Sequence, residues 1–325
     1  MSAVADLILG AARITVICHE NPDADTLGAA LAIRIAAERL GKLAEVVCAD
    51  PPPISLAFMP GIERVARAPA LEPDVAVIVD AGDLSRIGSI ATECADWLAR
   101  ARIVNIDHHV SNPGFGDAQL VEPAAAATCE LVTQLLPELG VPLDVDLATA
   151  LMAGLVNDTH TFAHPNVTAD TLRVAATLVE AGAPLSAINR AIYVDKPFAT
   201  LALWGRILAG IERHCAGRVV HGRMTLAMLA ETGAPPSASD GFIDLLASTH
   251  GADIAILFKE AEPAVTRVSV RTSAGADAVA ITAAFGGGGH ARAAGCTLET
   301  PLSAARDLVL AECERELARS DARGR

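Results

Sequence analysis

The apolar run RIVNI ends in Asp107-His108-His109, one carboxylate and two imidazoles in succession. Alone, such a trio could open a solvated loop, with Asp107 as a turn residue. Groups of the same kind stand at comparable places, however. ITVIC ends in His19 and is followed by Asp23 and Asp25, VAVIV ends in Asp80, and Asp158 closes the stretch VDLATALMAGLVND. Singly, Asp25 would serve as a helix cap before TLGAAL, Asp80 as a turn residue and Asp158 as a surface acid. Together they need another explanation, because gathered carboxylates without a nearby Lys are costly unless cations neutralise them. Carboxylate oxygen with imidazole nitrogen and no thiolate suits Mn2+ or Mg2+, with Fe2+ and Co2+ as competitors, better than structural zinc. The set exceeds the four ligands of one tetrahedral ion, so two ions sharing a carboxylate would use all of it. Such a pair activates water at neutral pH and clamps an in-line phosphoryl displacement.

For these groups to meet, the strands that carry them must run parallel and end at one edge. The first half alternates short β-branched runs (ITVICH, AEVVCA, DVAVIVD, ARIVNID) with Ala/Leu-rich helical stretches. That alternation predicts an α/β fold: a parallel-sheet catalytic domain with helices on both faces, whose strand ends line a ligand-binding crevice. Helices are expected around ATECADWLARA, TCELVTQLLPELG, VDLATALMAGLVND and TADTLRVAATLVEAGA, and the short run Ala124–Ala127 is expected to open one. A second set of elements follows, predicting a smaller mixed-sheet α/β domain joined by a helical linker. The expected boundaries are 1–190, 191–215 and 216–325. In the strand AVTRVSVRTS, Arg267, Ser269 and Arg271 share one face and Val268 and Val270 the other.

The formal net charge of −14 over 325 residues and an aromatic content of 3% argue against gripping long nucleic acid, which needs basic grooves and stacking platforms. A small anionic substrate, such as a short oligonucleotide or dinucleotide, fits. Seven scattered Cys with no C-x-x-C pair fit a reducing cytoplasm. No apolar run is long enough to span a membrane, and the N-terminus lacks the basic flank of a signal peptide.

HENPDAD, VDAGD, DHH and NDTHTF, in that order, resemble the four motifs of the DHH phosphoesterases. GGGGHARAAG resembles the glycine-rich signature of the DHH-associated C-terminal domain. Length and second domain look most like the bifunctional oligoribonuclease and phosphoadenosine-phosphate phosphatase (nano-RNase) group. The resemblance implies that His19 and Asp23 hold one Mn2+, that Asp25, His108 and Asp158 hold another, and that Asp80 bridges both. Asp107 would orient the neighbouring His, and His109 would hold a phosphate oxygen or help protonate the leaving group. The attacking group would be a hydroxide between the ions. A homodimer is also implied. The motifs depart from the family's commoner residues at Ala24, Ala29, Asn157 and His160, none of them a ligand. His160 is placed to narrow the cleft or contact a base, against the reading of a surface loop residue, which is also the reading for His164, His214, His221 and His250.

Between an apolar helix and HARAAG, four glycines would let the backbone approach a phosphate closely, with N–H groups forming an anion nest. Gly287, Gly288, Gly289, His290 and Arg292 are therefore expected to contact substrate, with Arg271 pairing a second phosphate. The function expected is metal-dependent hydrolysis of very short oligonucleotides to mononucleotides, with phosphoadenosine phosphate as a second substrate. The alternatives are a cyclic- or linear-dinucleotide phosphodiesterase and a non-catalytic nucleotide sensor.

Overall fold

The computed structural model describes residues 2–273 and 275–323 and divides into two compact units, Met1–Asp195 and Lys196–Arg325. In the first, β1 (Arg13–Ile17), β2 (Leu43–Val47), β3 (Val65–Ala66), β4 (Val75–Val79), β5 (Arg102–Asp107) and β6 (Ala118–Val121) form one sheet. Its order is β3-β2-β1-β4-β5-β6 and every pair is parallel. Strand order reverses between β1 and β4, which opens a crevice at the carboxyl ends of those two strands.

Alternation of side chains loads both faces of this sheet. Val16, Val77, Val104 and Ile106 pack in a large core with the helices Ala24–Arg39, Thr128–Leu135 and Val145–Asp158. Ile17, Val47 and Ile78 pack on the other side against Ile87, Ile90 and Leu98. The helix expected at ATECADWLARA is two one-turn pieces, Ile90–Glu93 and Ala95–Leu98. The run Ala124–Ala127 does not open a helix. It forms a turn, and the helix begins at Thr128 after extended Ala127.

The helices Ala24–Arg39 and Val145–Asp158 cross at backbone distance because glycine stands at the crossing. A Cβ on Gly28 would lie 2.4 Å from the Ala150 carbonyl oxygen. One on Gly154 would lie 2.4 Å from Cys129 Sγ and 2.5 Å from Asp25 Oδ1. Gly154→Ala is accordingly expected to destabilise the protein by roughly 1–3 kcal/mol, the usual cost of overpacking, and to weaken divalent-cation binding by displacing Asp25. Thermal denaturation with and without Mn2+ checks this. An unchanged Mn2+ affinity would mean the helices part without moving Asp25.

The second unit holds β7 (Glu212–His214), β8 (Val219–Met224), β9 (Ile254–Glu262), β10 (Val265–Thr272), β11 (Gly288–His290) and β12 (Ala293–Leu298) in the order β11-β12-β10-β9-β8-β7. The sheet is mixed, with only β8–β9 parallel. Val268 and Val270 face a core shared with the helix Leu302–Arg323, as the alternation in that strand predicts. The helix Phe198–Ala209, expected to belong to a linker over 191–215, instead buries Leu203 and Ile207 beside Val220 and Phe242 in this unit's other core. No helix among the described residues is long and apolar enough to cross a membrane.

Candidate metal centre

Strand ends bring the acids and histidines of the first domain together. His19 follows β1, Asp80 follows β4, Asp107 ends β5 with His108 and His109 behind it, and Asp158 is the last residue of its helix. Three overlapping groups of potential ligands result, His19 with Asp23 and Asp80, Asp25 with His108 and Asp158, and Asp80 with His108 and His109. His19 Nε2 lies 3.7 Å from Asp23 Oδ1 and 3.5 Å from Asp80 Oδ2. His108 Nε2 lies 3.2 Å from Asp158 Oδ2, 4.0 Å from Asp25 Oδ2 and 3.6 Å from Asp80 Oδ1. Asp80 thus turns one oxygen toward each of these two histidines. Its backbone is left-handed (φ 58°), a conformation that is costly for most residues but tolerated by Asp and Asn. Its N–H donates to the Ile106 carbonyl oxygen at 2.9 Å, tying the strained residue to the neighbouring strand.

Both imidazoles are oriented by main-chain carbonyls. His19 Nδ1–H donates to the Glu20 carbonyl oxygen at 2.7 Å and His108 Nδ1–H to the Ala125 carbonyl oxygen at 3.2 Å. Those bonds fix the tautomer and aim the Nε2 lone pairs into the site, the usual arrangement for a ligating imidazole. Donor chemistry and ring orientation therefore fit divalent cations.

Electrostatics point the same way. Burial alone would lower the His19 pKa, but the carboxylates of Asp23 and Asp80 outweigh it and raise it to about 11. Burial likewise opposes protonation of His108, yet Asp158, Asp25 and Asp80 raise it to about 10. Asp25, pushed up first by burial and then by Asp158 and Asp80, and Asp158, raised by burial and its acidic neighbours, resist ionisation. Without ions, the cluster therefore holds protons in their place. Folded values raised above the ordinary histidine value near 6.5 contribute stability that is full below that value and lost as pH rises through about 10 and 11. In chelator the melting temperature is expected to fall between about pH 6.5 and 10, and Mn2+ is expected to reverse the fall and release protons. A Mn2+ affinity indifferent to pH in that window would mean that ion and proton do not compete for these rings.

Asp107 and His109 form a hydrogen-bonded pair beside these groups. Asp107 is fully buried and accepts from His109 Nδ1–H at 2.7 Å and from Asn112 Nδ2–H at 2.6 Å. Burial would raise its pKa, but those bonds hold it below the usual carboxylate range, while the Asp107 carboxylate raises that of His109. His109 Nδ1 lies 3.8 Å from Asp80 Oδ1, and its side chain is 47% exposed, open to an incoming ligand.

Thr128 and Asn112 were not legible as parts of the site. Main-chain N–H groups of Thr128 and Cys129, at the start of their helix, donate to Asp25 at 2.6 and 2.9 Å, and Thr128 Oγ1–H donates to Asp80 Oδ1 at 3.0 Å. The only signal was the polar residue ending the alanine run. Asp25 is not the helix cap. Asp23 is, accepting from the N–H groups of Asp25 and Thr26. Beyond Asp158, three successive left-handed residues, His160, Thr161 and Phe162 (φ 48°, 55° and 63°), bring the His160 ring 5.4 Å from His164 in a stacked arrangement and 4.5 Å from Tyr193.

In the second domain, the glycine run is not an open nest. Gly288–His290 pair with β12 as an edge strand. A Cβ on Gly287 would strike the Gly295 carbonyl oxygen at 2.3 Å, and one on Gly289 (φ 143°) the Ala293 carbonyl oxygen at 2.5 Å, whereas Gly288 faces open space. Two of the three expected contacts are therefore glycine for the sake of the sheet. Arg292 donates to the main-chain carbonyls of Ser273 and Ala276, and Arg271 Nε–H donates to Asp244 Oδ1 at 2.8 Å. His290 is exposed.

A doubly wound parallel sheet with this acid–histidine edge, followed by a mixed-sheet domain, defines a class of phosphoesterase. Residues 13–155 match the DHH family, N-terminal domain, and residues 218–318 match the DHHA1 domain. The chain belongs to the DHH family. It is 33% identical, over 94% of its length and 91% of the relative's, to the bifunctional oligoribonuclease and PAP phosphatase NrnA of Thermus thermophilus. It is 25% identical to the protein of the same name from Bacillus subtilis, over 92% of this chain and 94% of that one. The crystal structure of an exopolyphosphatase-related protein from Bacteroides fragilis has the same fold, with a TM-score of 0.89 over 98% of both chains at 21% identity.

Proposed function

We propose that this protein is a divalent-metal phosphoesterase that hydrolyses very short oligonucleotides to mononucleotides and also dephosphorylates phosphoadenosine phosphate. The observation that carries the reading is Asp80, whose two oxygens face different histidines, 3.5 and 3.6 Å away. In this reading His19, Asp23 and Asp80 hold one Mn2+, and Asp80, Asp25, His108 and Asp158 hold the second. When bound, the ions supply Lewis-acid activation of water and of the phosphoryl group.

The chain's own groups do the rest. Thr128 and Cys129 keep Asp25 pointed inward by donating two main-chain hydrogen bonds to it. Asp107 holds His109 in one orientation and favours its protonated form, so His109 can deliver a proton to the departing nucleoside oxygen. The rings of His160 and His164, in the same domain as the acids, offer a face for one base. His290 and the Gly287–Gly289 edge are assigned to the terminal nucleotide. Arg271 joins them if phosphate displaces its partly exposed partner Asp244.

A panel of two- to ten-nucleotide RNAs, cyclic dinucleotides and phosphoadenosine phosphate with Mn2+ tests the assignment. Turnover is expected to be fastest on the shortest linear RNAs. Cleavage confined to cyclic dinucleotides would overturn the substrate class but leave the metal chemistry standing, and no turnover with any divalent ion would overturn both.

A further inference from the structure

A second group of metal-binding side chains lies wholly within the second domain. On β7, Glu212 and His214 are two residues apart and share a face, and on β8 His221 is paired directly opposite Glu212. One ligand atom from each of the three comes within 4.8 Å of the others. The histidine expected at the surface is buried instead. His221 is 3% exposed, its ring edge-on to Phe258 at 5.7 Å and 5.2 Å from the ring of His214.

Its Nε2 is one of two buried side-chain polar atoms without a hydrogen-bond partner among the described residues, the other being Arg34 Nε. A buried polar atom left unmatched is expensive. This one faces Glu212 Oε2 at 3.9 Å, while Glu212 Oε1 lies 4.0 Å from Arg223 Nη1. One oxygen of the carboxylate lies toward the Arg223 guanidinium and the other toward the histidine. We infer that Glu212, His214 and His221 bind one divalent transition-metal ion of the Zn2+ type, distinct from the cations of the first domain.

Two imidazoles and one carboxylate form a donor set typical of zinc with an open fourth position. Hard, oxygen-preferring Mg2+ is disfavoured by the same set. The site spans the connection between β7 and β8, where Cys215, Ala216 and Gly217 are all left-handed (φ 52°, 56° and 92°). An ion there would clip an edge strand whose turn is otherwise strained.

The test is the number of Zn2+ ions bound per full-length chain, by equilibrium dialysis and elemental analysis, in wild type, His214→Ala and Glu212→Gln. Both changes are at solvent-accessible positions and outside the machinery assigned above. Each is expected to remove one ion, or weaken it by at least a hundredfold, while Mn2+-dependent dinucleotide turnover stays within about twofold. An Asp80→Asn chain is expected to retain the His214-dependent ion, which separates this inference from the two-ion reading of the first domain. Equal stoichiometry and affinity in wild type and both β7 variants would overturn the inference. So would loss of every bound Zn2+ in Asp80→Asn.

Discussion

Asp80→Asn is expected to lower turnover of a dinucleotide by more than a hundredfold and to leave the fold intact. Asn removes the charge shared between the two ligand groups but keeps the shape and one acceptor for Thr128 Oγ1–H, now 3.0 Å from Asp80 Oδ1. It also tolerates the left-handed backbone at this position, φ 58°. A hundredfold is about 2.7 kcal/mol of barrier, small for the loss of an anion facing two cations. His108→Ala, by contrast, would weaken one ion and be partly rescued by excess Mn2+. An Asp80→Asn protein that melts normally and keeps more than about a hundredth of wild-type turnover would sink the shared-carboxylate assignment.

For His109→Ala a loss of roughly 10²–10⁴ in kcat is expected on a dinucleotide, the range for removing a general acid. The leaving group there is an alkoxide that needs a proton. Bis-p-nitrophenyl phosphate loses a stable phenolate instead, and its turnover is expected to change little. Asp107→Asn should act in the same direction but less, because it leaves the imidazole in place and removes only the negative charge 2.7 Å from Nδ1. Equal losses on both substrates would mean that His109 holds a phosphate oxygen rather than protonating the leaving group.

The acids at the ends of β1, β4 and β5 were legible because a parallel sheet sends every strand's carboxyl end to one edge, so sequence position fixed spatial position. Asp158 was legible as the end of a regular helix. Contacts made across long stretches of chain were not. The grip of Thr128 on Asp25 spans 103 positions, and Asp107 needs the loop that carries Asn112. Misreading Ala124–Ala127 as helix hid the N–H groups that hold Asp25. The intramolecular partners of the arginines were hidden in the same way. Arg292 finds carbonyls sixteen and nineteen residues away, and Arg271 finds Asp244 on another element. The close approach of Gly287 and Gly289 to the neighbouring strand was hidden because a strand pairing leaves no mark of its own in the local sequence.

Asp25 is bonded through both oxygens to the amides of Thr128 and Cys129, so the carboxylate assigned to a cation also fastens the start of another helix. An ion held by Asp25 would therefore be thermodynamically coupled to local opening of that helix. Amide exchange at Thr128 and Cys129 becomes a gauge of cation occupancy, slowing as the ion holds Asp25 in place. Depletion of divalent ions would loosen a segment of the main core as well as silence the chemistry, so a starved chain would present itself to proteases as a partly opened one.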